Sequence, residues 1–402
     1  MQGATPPEAS HLQAVQARAG GLGAAAFSPE EALRLWSGKA GSTAPAGVEG
    51  PRPTYIGSRY ALPPMTRSNL EILPRGVQFA LALSLLALLA FPFAGTDFYT
   101  EMVTRMMIMA IFAMSLDLLQ GVTGLVSLGH AAYFGLAGYA LAFLTPQGEP
   151  VSLWWTLPAA VLASGLAAFV VGFFVVRTRG IYFIMVTMAF AQMVFFLFFD
   201  NKALGGSDGL YINFRPVASV FGWTPFDLDS KRTLYYFTLA CLLAVYAFLR
   251  RLLWSPFGRA LAGIRVNEHR MRAMGFATFG YKLTAFTLAG SLAGLAGYLW
   301  GTQTGYINPE LMGFQMSAHT IMMVVLGGMG NIAGAIVGAF TFEYLLHVFK
   351  DLPQVGSVNL GKHWQLWMGL FIVLLVTFAP RGILGLVERF GRGGKSGEAP
   401  HE

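Results

Sequence analysis

The 402-residue chain is 55% hydrophobic and only 12% charged, against roughly 25% charged residues in an ordinary soluble domain, which excludes a soluble fold and indicates a membrane. Its formal charge of +7 does not indicate nucleic acid, because Lys and Arg fall in short loops between apolar runs rather than along one stripe. A single cysteine, Cys241, excludes an internal disulfide.

Residues 1–70 are rich in Ala, Gly, Pro and Ser and predict a disordered or tail-like extension. Within it, SPEEALRLW starts a short helix, with Ser28 as cap, Pro29 in the first turn and Glu31 three residues after the cap. Residues 1–75 carry no continuous apolar core of the kind a secretory signal needs. Met65, just before a basic stretch and the first apolar run, offers an alternative translation start.

The apolar runs are Gly76–Phe93, Met102–Leu119, Gly124–Thr145, Val151–Val176, Ile181–Phe199, Thr233–Leu249, Tyr281–Trp300 and Trp364–Ala379. Several approach the ~20 residues that cross a hydrocarbon core of ~30 Å. Between the last two lies 316–349, split by GGMGN (Gly327–Asn331). Its first limb, Met316–Leu326, is too short for a full crossing at about 1.5 Å per residue, so the segment predicts a broken helical hairpin. Irregular backbone at membrane depth survives only when buried in protein or lining a cavity, which makes the break a pointer to a transport path. The fold expected is an all-α polytopic bundle of about eight full spans plus this hairpin.

Orientation follows from the basic loops. Arg177 and Arg179 follow the fourth run, and Arg250–Lys282 holds seven basic residues against one acidic, Glu268. Residues 200–232 hold four of each sign. Placing the basic loops in the cytoplasm puts the balanced loop outside and both termini inside, the C-terminal tail 387–402 included. The hairpin must then enter and leave by the outer face.

Small residues recur at every fourth position in three places: Ala285, Ala289, Ala293, Gly297, Gly301; Ala160, Ser164, Ala168, Gly172; and Gly330, Gly334, Gly338. Such ridges let helix backbones approach in lipid and predict a tight bundle. Trp154, Trp155, Trp223 and Trp254 lie at run ends, as interfacial anchors do.

Three strings imitate enzyme motifs. GGSDG (Gly205–Gly209) fits G-x-S-x-G, but a membrane helix precedes it where a nucleophile elbow needs a strand, and neither His130 nor His319 is tied to Ser207 by spacing. GGKS near Gly394 lacks the P-loop's first glycine, since Arg389 stands there. GMGNIA (Gly328–Ala333) follows no predicted strand and so is no dinucleotide fingerprint. No catalytic residue, metal site or bound cofactor is expected.

Ionisable residues at membrane depth are functional candidates by default. Glu101 and Arg105 are four apart and positioned to pair. Asp117 lies near the inner end of its run, within reach of basic loop residues. Glu343, His347 and Lys350 share a helical face where snorkelling accounts for them. Ser127, His130 and Asn331 are polar groups at Gly-rich helix breaks and are candidates for a translocation path.

The most polar internal segment is SPFGRALAGIRVNEHRMRAMG (Ser255–Gly275). Ser255 caps, Pro256 takes the first turn, and Phe257, Leu261 and Ile264 form an apolar stripe with Arg259 and Arg265 off it. The residues alone leave two readings open: a helix resting on the inner leaflet, or a knob docking into a cytoplasmic partner.

This segment, with the YKLTAFTLAGSLAGLAG that follows, resembles the coupling loop and next helix of branched-chain amino-acid ABC transporter permeases, the LivM-type subunit in particular. GVTGLVSLGHAAYFGLAGY (Gly121–Tyr139), RTRGIYFIMVTMAF (Arg177–Phe190), ALGGSDGL (Ala203–Leu210), VVLGGMGNIAGAIVGA (Val324–Ala339) and FAPRGILGL (Phe378–Leu386) agree, in order, over 75–386. The resemblance implies an inner-membrane, multi-pass permease domain that hydrolyses nothing itself. It implies pairing with a homologous second permease, two cytoplasmic ATPases and a periplasmic solute-binding protein. The matching coupling-loop residues, within 250–280, are Gly258, Arg259, Ala260, Leu261, Ile264, Arg265, Asn267, Glu268 and Gly275. The implied solutes are branched-chain amino acids, with urea, short amides or aromatic acids as alternatives. A self-sufficient channel or ion-coupled carrier is the rival class, although ion coupling calls for intramembrane carboxylates and the chain offers few beyond Asp117 and Glu343.

Overall fold

The computed structural model describes residues 75–145, 151–218, 228–355, 358–379 and 382–385. The expected N-terminal tail with its Ser28 helix, Met65, Trp223 and the tail 387–402 lie outside the described residues.

Apolar runs without interior charge become helices because, in lipid, only a helix satisfies every backbone group within one segment. In chain order they are α1 (Arg75–Ala94), α2 (Asp97–Asp117), α3 (Ala131–Leu144), α4 (Leu153–Val175), α5 (Ile181–Phe199) and α6 (Lys231–Trp254). The loop helices α7 (Pro256–Val266) and α8 (Glu268–Ala273) follow, then α9 (Thr278–Thr304), α10 (Phe314–Gly327), α11 (Ile332–Lys350) and α12 (Trp364–Phe378). Seven helical segments among the described residues are long and apolar enough to cross a membrane. They confirm the polytopic helical bundle.

Its division differs from expectation in two places. The run Gly124–Thr145 is not one span: residues 124–130 are irregular and only the 14-residue α3 is helical. Two glycines and the polar Ser127 and His130 explain why this stretch leaves the helix. The hairpin is confirmed at GGMGN, but its second limb, α11, has 19 residues and is itself of spanning length.

The helix α2 is the axis of the bundle. It packs against α6, α9, α10 and α11, and 89% of its apolar window is buried within the protein, against 22% for α5. The exposed side chains of α5, such as Met185, Met193 and Phe196, form an apolar outer face of the bundle.

The small-residue ridges do the work expected of them. A Cβ on Gly290 would meet Ala168, one on Gly294 would meet Ser164, and one on Gly297 would strike the Phe134 carbonyl. Thus α9 lies backbone-close to both α3 and α4, and Thr156 and Tyr298 share a 2.7 Å hydrogen bond across that seam. The Tyr235 hydroxyl donates to the Leu88 carbonyl (2.7 Å), tying α6 to α1.

Connecting segments sort to two sides. On one, β1 (Leu210–Tyr211) pairs antiparallel with β2 (Tyr306–Ile307), joining the balanced loop to the end of α9. Arg215 donates there to the carbonyls of Asp229 (3.0 Å) and Gln303 (3.4 Å). Lys231 lies 2.9 Å from Glu101 and 3.6 Å from Asp97, so Glu101 pairs across helices instead of with Arg105, whose guanidinium stacks 5.1 Å from the Trp300 ring. On the other side, Arg179 of the α4–α5 turn lies 3.5 Å from Glu268 of the loop helix α8, and Arg177 lies 5.4 Å from the Phe279 ring at the start of α9. The two basic loops therefore share one side.

Of Glu343, His347 and Lys350, His347 lies 3.3 Å from Asp351 and Lys350 sits over the Trp364 ring at 5.1 Å.

Because the Phe134 carbonyl occupies the space a side chain would need, Gly297→Leu is expected to cost about 1–3 kcal/mol of stability. Gly280→Leu, on the same helix with nothing near its Cβ, is expected to stay within about 0.5 kcal/mol of wild type. Thermal unfolding in detergent separates the two.

Candidate functional site in the loop helices and the two helix breaks

The sequence of α7 builds a capped amphipathic helix. The Ser255 hydroxyl accepts from the Gly258 N–H (3.4 Å) and Pro256 takes the first turn. Its stripe turns inward rather than onto lipid. Leu261 joins the main core, Ala260 and Ile264 pack with Met271 and Tyr281, and Phe257 stacks on Tyr281 at 5.5 Å. The stripe is therefore not the surface that α7 turns outward.

Asn267 breaks the chain direction between α7 and α8, and its side chain caps α8 by accepting from the Arg270 N–H (2.9 Å). Glu268 opens α8 and anchors the loop. Lys282 donates to it at 2.7 Å, Arg272 at 2.6 Å and Thr278 at 3.2 Å, with Arg179 at 3.5 Å. Burial raises the Glu268 pKa, but the hydrogen bond and charge of Lys282, the charge of Arg179 and the hydrogen bond of Arg272 together outweigh it and hold the carboxyl at about 2. Gly275, at φ 87°, turns the chain from α8 toward α9.

Of the nine expected loop residues, Gly258, Ala260, Leu261 and Ile264 are buried, and Asn267 and Glu268 are engaged within the chain. Arg259, Arg265 and Gly275 are exposed. The outward surface also carries Val266, Arg270, Met274 and Phe276, which the sequence reading did not single out.

Arg265 reaches back into the protein, where Nη1 donates to the Gly121 carbonyl. That carbonyl lies in a π-helical turn, Leu118–Thr123, that continues α2 and widens its hydrogen-bond spacing. Gly124 ends the turn in the left-handed region (φ 75°), with the Leu125 N–H reaching the Leu119 carbonyl at 2.9 Å. Against the turn lies the hairpin break. The Gly330 N–H donates to Asp117 Oδ1 (2.8 Å) and Gln120 Nε2 reaches Met329 Sδ (3.2 Å). A Cβ on Gly121 would strike Asp117 and the Gly330 backbone, so the two breaks touch main chain to main chain. Asp117, expected to reach basic loop residues, binds the hairpin turn, with Arg265 as the nearby charge.

The three path candidates have different surroundings. Asn331 caps α11, accepting from Ala333 (3.1 Å) and Gly334 (3.4 Å). Ser127 and His130 lie fully buried in the irregular stretch before α3. The Ser115 hydroxyl donates to the Phe112 carbonyl (2.6 Å) and lies 2.9 Å from His130 Nε2, which leaves Nδ1 as the ring nitrogen turned away from Ser115. Among the described residues neither that nitrogen nor the Ser127 hydroxyl has a hydrogen-bond partner. The start of α3 is fixed by Ser317, whose hydroxyl accepts from the Ala131 N–H at 3.1 Å. Gln120, Gly121, Lys282 and Arg179 were missed as site residues; the QGVTG glycines immediately after Asp117 were the available signal.

Ser207 sits in a turn of short 3₁₀ segments, exposed, with its hydroxyl 3.2 Å from Asp208 Oδ1. That is not the strand–turn–helix setting of a nucleophile elbow.

A carboxyl held at about 2 stabilises the fold above its ordinary value near 4.5, and that contribution disappears as pH falls from 4.5 to about 2. Glu268→Gln is expected to lose about 1–3 kcal/mol at pH 7 by leaving Lys282 poorly paired. The gap between variant and wild type should close over the same acid window, as read by thermal unfolding in detergent.

A family model described as the permease component of branched-chain amino acid transport systems matches residues 98–379. The high-affinity branched-chain amino acid transport system permease protein LivM of Escherichia coli (strain K12) is 30% identical, over 83% of this chain and 79% of its own length. LivM of Salmonella typhimurium is 31% identical over the same shares. LivH of Salmonella typhimurium is 24% identical over 69% of this chain and 92% of its own. No solved structure matches the chain significantly. With the match running through α2, both helix breaks, the loop helices and α12, the chain belongs to the family of branched-chain amino acid transport system permease components.

Proposed function

We propose that this inner-membrane, multi-pass ABC permease subunit carries branched-chain aliphatic amino acids along a path shared with a second, homologous permease subunit. Two cytoplasmic ATPases dock on the 250–280 loop and supply the energy, and a periplasmic binding protein delivers the solute. The basic side of the bundle, with both termini, faces the cytoplasm. Grouping of Arg177, Arg179 and the loop helices on one side supports that orientation by the positive-inside rule.

The observation that carries the docking reading is the outward surface of α7 and α8. Its apolar stripe and Glu268 are spent on the protein's own helices, which leaves a rigid knob whose exposed face mixes Arg259 and Arg270 with Val266, Met274 and Phe276. Exposed apolar side chains interleaved with arginines suit a protein groove with an acidic rim. A helix that merely lay on lipid would turn its apolar stripe outward. Transport then requires that ATP binding favour one pore conformation over another, because a partner shifts an equilibrium only by its differential affinity for the two states.

Uptake of labelled leucine, urea and benzoate by cells with and without the gene tests the solute. Loss of leucine uptake alone is expected, and loss of urea or benzoate uptake instead would reassign it. For docking, the double substitution Arg259→Glu with Arg270→Glu is expected to weaken ATPase capture in detergent by about tenfold while leaving the fold intact. Undiminished capture would remove this face from the interface.

A further inference from the structure

Two breaks interrupt the bundle's helices on the basic side: the π-turn after α2 and the Gly327–Asn331 turn between α10 and α11. Backbone breaks normally relax independently. Here they are wired to each other and to the loop. Arg265, on exposed α7, donates to the Gly121 carbonyl of the first break. Gly330 of the second donates to Asp117, one residue before the π-turn begins, at 2.8 Å. Gln120 reaches Met329 at 3.2 Å, and Arg265 Nη1 lies 3.6 Å from where a Cβ on Gly330 would stand. Asp117 is fully buried on the most buried helix, and its Oδ2 has no hydrogen-bond partner among the described residues. The Gln120 Oε1 is likewise without one.

We propose that Arg265 and Asp117 are positioning residues that form a latch: Arg265 fastens the loop helix to the π-turn, and Asp117 fastens the π-turn to the hairpin turn. A shift of α7 then moves both breaks as one unit. The inference rests on the ATPase-docking reading above. Its geometric ground is that, among the described residues, no other side chain of α7 makes a hydrogen bond to either break, whereas Arg265 meets the first directly and the second through main-chain contact. A buried carboxyl with one oxygen unpaired is costly to keep. An arginine fork able to retarget from a backbone carbonyl to that oxygen gives the latch two discrete arrangements, as a switching element needs. Loop movement therefore has a hydrogen-bonded route to both breaks, beside the packing of Leu261 and Phe257 on the core.

The test is hydrogen exchange by mass spectrometry on the assembled transporter, with and without ATP and vanadate. In wild type, nucleotide is expected to change exchange in the α7 peptide and in both break peptides, 118–125 and 327–331, together. Arg265→Gln should keep the α7 response but reduce the response at both breaks about tenfold, the scale of one hydrogen bond to a charged group. Asp117→Ala should preserve the response at 118–125 and abolish it at 327–331, and Asp117→Asn, which keeps an acceptor for Gly330, should restore it. If Asp117→Ala does not fold, the exposed Arg265→Gln carries the test alone. Wild-type responses at the breaks in Arg265→Gln would overturn the latch, as would a loss of protection spread through α2 and α9. Failure of the unaltered chain to capture the ATPase would instead overturn the docking reading beneath it.

Discussion

Water is absent from the hydrocarbon core, so any backbone group released from a helix must find its partner inside the protein. This chain releases backbone at two places near its basic side and at a third before α3. Its architecture is largely the set of solutions to those releases. The Gly330 N–H finds the Asp117 carboxyl, the Gly121 carbonyl finds Arg265, and the Ala131 N–H finds the Ser317 hydroxyl. Each partner is far away in sequence, so the breaks cross-link the bundle where intact helices would merely lie side by side.

Close approach makes those solutions possible. Lipid offers helices no hydrophobic reason to associate, and contact is set by how near the backbones come. Glycine and alanine on α9 bring it against α3 and α4, and the glycines of the hairpin let α10 and α11 touch main chain to main chain: a Cβ on Gly327 would strike the Gly334 carbonyl. That closeness leaves the breaks no room to drift. It also puts the axis helix, α2, in contact with α6, α9, α10 and α11.

The loop helices are polar in sequence yet rigid in structure, for a related reason. Their apolar stripe belongs to the protein's own core, and Glu268 collects Lys282, Arg272 and Arg179 from three separate segments. Anchoring by a multiply paired carboxylate holds the loop helices in place without extra hydrophobic surface. Arg259 and Arg270, outside this network, remain on the exposed face.

The membrane class, the helical bundle, the hairpin break and the family were legible in the sequence, because each depends on composition or on local spacing: apolar runs near 20 residues, small residues at every fourth position, glycines at GGMGN. The basic loops also sorted by side from their charge alone. Pairings were not legible. Glu101 and Arg105 stand at ideal helical spacing, yet Lys231 and Trp300 take them. The run Gly124–Thr145 is apolar enough to span but breaks at its polar, glycine-bearing start. Periodicity reports which face of a helix is apolar and says nothing of what arrives there from a hundred residues away. The sequence by itself determined that this chain is a bundle of membrane helices with a polar loop segment and a broken hairpin. Only the tertiary structure decided that Arg265 of the loop and Asp117 of the axis helix bond to the two breaks, since hydrogen-bond partners separated by 144 and 213 positions are chosen by packing and leave no local pattern.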